Sequence, residues 1–225
     1  MRASRSLPIA TVVALSVALV AGPARAAEAD AVAVLTTGSA AGANVAVGDV
    51  LNAAVASGTT ADFTTASGGT TGIKCAASAF TAAVVDNPVA PGVATESATG
   101  HTFASCTANI LGVTKVNSVT VNNLPFATTI DSATGAVTVS GAAGAPIQTT
   151  IVLGTLLGSV TCVFQANGGS ITGVSANTDN SISFANQAFT KSSGPITCPS
   201  AGFFTANYAP VLDTTVAGSP AVFTN

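Results

Sequence analysis

The chain has 225 residues, of which 48% are hydrophobic and only 7% charged, and its formal net charge is −3. All three arginines (Arg2, Arg5 and Arg25) precede residue 26, so the rest of the chain sets Lys74, Lys115 and Lys191 against nine Asp and Glu. A surface of that sign repels phosphate backbones, which excludes a nucleic-acid partner, and it disfavours anionic membranes for the same reason.

The first 26 residues predict an export signal. "MRASRS" supplies the basic start, "LPIATVVALSVALVAG" the apolar core, and "PARA" places small side chains at Ala24 and Ala26, the pattern signal peptidase admits. Cleavage is expected after Ala26, giving a new N-terminus at Ala27. The apolar run is short for a membrane span and contains Pro8. No membrane span is therefore expected in residues 27–225, and the protein is expected to be secreted.

Strand signals follow in chain order. They are "DAVAVLTT" (30–37), "TADFTTA" (60–66), "SAFTAAVV" (78–85), "VNSVTVNNL" (116–124), "GAVTVSG" (135–141), "IQTTIVL" (147–153), "GSVTCVFQA" (158–166) and "NSISFAN" (180–186). Their Val, Ile and Thr suit a pleated, half-buried surface, and Gly, Asn, Asp and Ser clusters separate them. "VGDVLNAAVASG" (47–58) reads equally as a short helix capped by Asp49 or as a strand. Asp131–Gly135 and Asn167-Gly168 mark tight turns, the second needing positive φ. The pattern predicts an all-β protein, an antiparallel β-sandwich or barrel-like fold. A membrane barrel would carry aromatic girdles, and this chain has no Trp and one Tyr.

A duplication within 27–225 is a further expectation. "IKCAASAF" and "VTCVFQA" each open a segment in which Phe103 and Phe189 follow Cys75 and Cys162 at nearly equal distance, each ahead of another cysteine. The phrases "TGIKCAASAFTAAVV", "ATGHTFASCTANILGV", "VNSVTVNNLPFATTI", "PIQTTIVLGTLLGSVTCVFQA", "NTDNSISFANQAFTKSSGP" and "FFTANYAPV" together resemble a group of secreted actinobacterial proteins of the Streptomyces type. Those proteins are often labelled Tat pathway signal-sequence domain proteins, although Arg2 and Arg5 are not adjacent here. The resemblance implies a secreted β-rich fold with paired cysteines, and no catalytic residues come with it. A looser likeness, in the Cys-strand and Leu-Pro-Phe turn pattern, is to secreted activators of alkane oxidation.

Four cysteines in an exported chain form an even set that an oxidising compartment pairs. Three pairings are possible, and similar loop lengths favour Cys75–Cys106 with Cys162–Cys198. Closing loops of about 30 to 35 residues is worth roughly 3–4 kcal/mol each on the chain-entropy model. An oxidised Cys106 cannot be a thiolate, so "GHTFASC", which holds the only histidine, is expected to be a structural strand with His101 on its surface or half-buried. No C-x2-C spacing, G-x-S-x-G elbow, P-loop, dinucleotide glycine pattern or EF-hand loop occurs. Asp131, Asp179 and Asp213 sit beside turn-forming residues and are expected to be turn aspartates. These features predict a non-catalytic secreted protein, with no cofactor or metal, that serves as a structural or binding module outside the cell or at its envelope. The alternative is a carrier of a small apolar ligand, and a deep apolar pocket would distinguish the two.

Overall fold

A computed structural model describes residues 31–225; the expected signal, Ala24, Ala26 and the new terminus at Ala27 lie outside them. Short strands β1 (Leu35–Thr37), β2 (Ala43–Asn44) and β3 (Val50–Ala54) lead into β4 (Ala61–Thr64). Two long strands follow, β5 (Gly72–Asp86) and β6 (Val93–Ala108). Then come β7 (Val113–Asn122), β8 (Phe126–Asp131), β9 (Ala136–Ser140), β10 (Gln148–Thr155) and β11 (Gly158–Ala166). The series ends with β12 (Ser170–Ala176), β13 (Ser181–Ser193), β14 (Ala201–Tyr208), β15 (Leu212–Asp213) and β16 (Val222–Thr224).

The fold is all-β and barrel-like. The order β12-β9-β8-β6-β5-β4-β14-β13 returns to β12 through a β12–β13 ladder, which closes eight antiparallel strands into a ring. Closure removes the unpaired edges that an open sheet leaves for aggregation. The long strands serve two neighbours each. β5 pairs with β4 at its start and β3 further on, while β13 pairs with β12 near its start and β11 near its end. From β11 the ladder continues outward through β10 to β7.

Segment 47–58 resolves as strand β3. Asp49 precedes it and accepts the Ala46 N–H at 2.8 Å, so its carboxylate holds a turn instead of starting a helix. The two marked turns form as expected. Gly135 N–H donates to the Asp131 carbonyl at 2.8 Å with Gly135 at φ 69°, and Gly168 takes φ 69° in the tight turn between β11 and β12.

Both expected disulfides are present. Cys75 and Cys106 face each other directly across β5 and β6 with Cα atoms 3.9 Å apart. Cys162–Cys198 ties β11 to the loop before β14, with Cα atoms 5.7 Å apart. One bond thus joins two paired strands and the other a strand to a loop, and residues 31–225 form one compact unit.

Phenylalanine rings fill much of the interior. Phe63 stands edge-on to Phe164 and Phe189, with centroids 5.0 and 5.5 Å away. It can do so because Gly202 on β14 has no side chain: a methyl there would overlap the Phe63 ring. Gly202→Ala should therefore lower stability by about 1–3 kcal/mol, the usual range for overpacking. Adding Phe63→Leu to that variant should recover part of the loss, a non-additivity that denaturant titration of the single and double variants would measure.

Candidate functional site

In a regular strand alternate residues face the same side, so a single inserted residue reverses the pattern beyond it. β6 contains such an insertion. Thr81 of β5 faces Gly100 while Ala82 faces Ala98, which leaves Thr99 without a partner. Before the bulge, Ala94 and Glu96 are buried. After it, the inward positions are His101 and Phe103, which line the same cavity as Glu96 and Ala98. The bulge in β13, between Phe184 and Gln187, has the same effect and turns both Phe184 and Phe189 into that cavity.

The cavity measures about 90 Å³, counted as space open to the centre of a water-sized sphere. Seven of the chain's ten phenylalanines line it, with Val, Ile and Leu side chains from β7, β9, β10 and β12. An apolar void of that size costs the fold about 2 kcal/mol relative to a filled interior. A smaller gap of about 30 Å³ lies beyond Glu96 and Ile182, which line both spaces.

Three polar side chains enter the apolar wall without a protein partner among the described residues: Glu96, Thr128 and Thr149. Glu96 and Thr128 are directly opposite each other on β6 and β8. Burial alone pushes the Glu96 carboxyl up from 4.5 to about 7, because no cation or hydrogen bond offsets it. Below about pH 7 Glu96 is thus mainly protonated and can donate a hydrogen bond as well as accept one.

A second polar group sits in the same cavity. His101 Nε2 lies 2.6 Å from the Tyr208 hydroxyl, which lies 2.8 Å from Ser78 Oγ. The three form one hydrogen-bond chain whose direction follows the imidazole tautomer. Burial lowers the His101 pKa to about 4 and raises that of Tyr208, so both are neutral. His101 is half-buried in strand β6, as expected, and the Thr99 bulge turns its ring into the barrel.

Nucleophilic catalysis by Ser78 is poorly served by this geometry. Tyr208 intervenes, the direct Ser78 Oγ–His101 Nε2 distance is 3.5 Å, and an imidazole with a pKa near 4 is a weak base. No group of three or more His, Cys, Asp or Glu is placed to hold a metal among the described residues. Asp131 and Asp179 occupy turns as expected, Asp131 accepting the Ala133 N–H at 2.8 Å. Asp213 ends β15 in the same way, accepting the Thr215 N–H at 3.0 Å, but it is fully buried with Oδ2 unpartnered among the described residues, and burial followed by the nearby Asp49 raises its pKa.

Comparison with protein families, curated proteins and solved structures finds no match for this chain. The cavity's own chemistry is therefore the guide to what the molecule does.

Glu96 and His101 give opposite pH dependences, and the fully buried Asp213, whose pKa is also raised, acts in the same sense as Glu96. Ionising Glu96 costs the fold, so its contribution is complete below about 4.5 and is lost as the pH rises through 7. Charging His101 also costs the fold, so its contribution is complete above about 6.5 and is lost as the pH falls through 4. Each amounts to roughly 3 kcal/mol. Between pH 5 and 6.5 these two contributions offset each other, and any slope from Asp213 is common to the parent and the variants. Glu96→Gln should unmask the histidine, giving stability that climbs with pH across that window, and His101→Gln should unmask the opposite slope. Urea midpoints at several pH values would test this, and a Glu96→Gln curve parallel to the parent would contradict a neutral carboxyl.

Proposed function

We propose that this barrel is a secreted, non-catalytic binding module that holds a small apolar molecule bearing one hydrogen-bonding oxygen or nitrogen. The observation that carries this reading is the 90 Å³ apolar cavity with Glu96 unpartnered in its wall. A void and a desolvated carboxyl facing it without a protein partner both destabilise the protein, and a ligand that fills one and pairs the other relieves both costs. A purely structural module would gain from a filled core and has no use for either feature.

The size of the space favours a ligand of about one ring or a short branched chain, since one water needs only about 10–15 Å³ on this measure. The protonated Glu96 and the Thr128 hydroxyl opposite it are the natural partners for a carbonyl, ether or alcohol. Secretion is supported by the two disulfides, which persist in oxidising compartments, and among the described residues no helix is long and apolar enough to cross a membrane.

Saturation-transfer NMR with benzyl alcohol, acetophenone and short-chain ketones provides the test. Transfer to the wild-type protein is expected. Ala98→Phe, which places a ring in the cavity, should abolish it while leaving the far-ultraviolet circular dichroism unchanged. Glu96→Leu should keep the apolar contacts and weaken binding about tenfold, the value of one hydrogen bond. Binding that survives Ala98→Phe, or the absence of binding by any member of the series, would overturn the proposal.

A further inference from the structure

We infer that the end of the barrel carrying Leu111, Leu156, Leu157 and Ile196 docks on the interface of an anionic lipid bilayer. This inference is independent of the cavity. The pairings place the four side chains together. Val113 at the start of β7 faces Thr155 at the end of β10, so loop 109–112 lies beside the turn at 156–157. β11 begins at that turn and pairs with the end of β13, and Cys162–Cys198 holds loop 194–200 against it.

These four residues are 102, 89, 101 and 96% exposed. The other large exposed hydrophobics are all valines, none above 66%. Hairpin tips ordinarily take polar residues. Here "ILG" (110–112) and "LLG" (156–158) put a leucine immediately before a glycine at positive φ, Gly112 at 81° and Gly158 at 118°. The glycines make the turns, and the tip leucines contribute nothing to the core. Apolar groups so placed act on something outside the molecule.

Charge identifies the partner. All the described lysines belong to this end: Lys74 near the start of β5, Lys115 near the start of β7, and Lys191 near the end of β13. The carboxylate in this half among the described residues is Asp62, already paired with Lys74 at 3.2 Å. Asp49, Asp86, Glu96, Asp131, Asp179 and Asp213 all lie toward the opposite end. The chain's overall negative charge, which disfavours anionic membranes when spread evenly, is thus segregated, and an anionic surface would orient the barrel with its lysine end down.

The spacing fits an interface. Lys115 is two residues into β7, about 7 Å at strand rise beyond the turn that carries Leu111. Leucines buried about 5–10 Å below the headgroups would leave that ammonium among the phosphates. Lys191 Nζ, which bonds the Pro195 carbonyl at 3.2 Å, sits one residue from Ile196. Four points on three separate turns make a convex tip suited to insertion between lipids, whereas a stable protein interface needs about 800 Å² of matched surface per partner.

Flotation of the disulfide-intact protein with phosphatidylcholine vesicles, with and without phosphatidylglycerol, tests this. The wild type should float with the anionic vesicles, less so at high salt. A variant with Leu111, Leu156, Leu157 and Ile196 all changed to Ser should lose more than about tenfold in partitioning while keeping its unfolding midpoint. Lys115→Glu should weaken binding to anionic vesicles alone. Absence of wild-type binding to either vesicle, or equal binding by the four-serine variant, would overturn the inference. So would a concentration-dependent dimer in sedimentation velocity that the four-serine variant abolishes, since the tip would then be a contact between copies.

Discussion

One unpaired residue in β6, Thr99, determines what faces the inside of this barrel. With strict alternation, Glu96 and Ala98 would be followed inward by Gly100, Thr102 and Ala104, and His101 and Phe103 would point to solvent. The bulge breaks that sequence and puts a carboxylic acid, an imidazole and a phenyl ring from one strand in one space. The bulge in β13 does the same for Phe184 and Phe189. A barrel this small is ordinarily filled by its inward side chains. Here the Phe63 ring takes the space that Gly202 leaves open, while a void remains among the other rings.

Such an interior needs support from elsewhere. The closed ladder pairs the backbone around the ring, so no edge depends on the side chains inside for its protection. Each disulfide contributes on the order of 3–4 kcal/mol by restricting the unfolded chain, comparable to what the cavity and the buried Glu96 cost. Cys75 lines the cavity, and its bond to Cys106 ties together the two strands that supply Ser78, Glu96 and His101.

Much of the fold was legible in the sequence, for identifiable reasons. Regular alternation marked β7, β9, β10 and β11, and Asp131–Gly135 and Asn167-Gly168 announced their turns through residues that tolerate those backbone angles. The cysteine pairing followed from loop length. Of β6 only "GHTFASC" was read as strand; its first half, "VATESAT", was missed because the alternation is interrupted at Thr99 and the residues are small and polar. The site was missed with it. Glu96 carries no local signal of burial: only its place opposite Val84 and Thr128 in a closed barrel makes it an interior group. The Tyr208–His101 contact spans more than half the described chain, so no local pattern could foretell it. The burial of Asp213 was hidden for the same reason, since the strand it pairs with lies far away in sequence at Leu51.

Cavity and tip rest on separate observations, yet both describe a molecule whose apolar chemistry is directed at partners rather than spent on its own core. Both the pH dependence and the ligand reading require Glu96 to be a neutral acid in an apolar space that a ligand can enter. Its most direct measurement is the pH titration of the Glu96 side-chain carboxyl carbon by ¹³C NMR, without and with a bound ketone. A midpoint near 7 that moves higher when the ketone is added is the predicted result. A midpoint near 4.5, unmoved by the ketone, would show a solvated carboxylate and contradict the account.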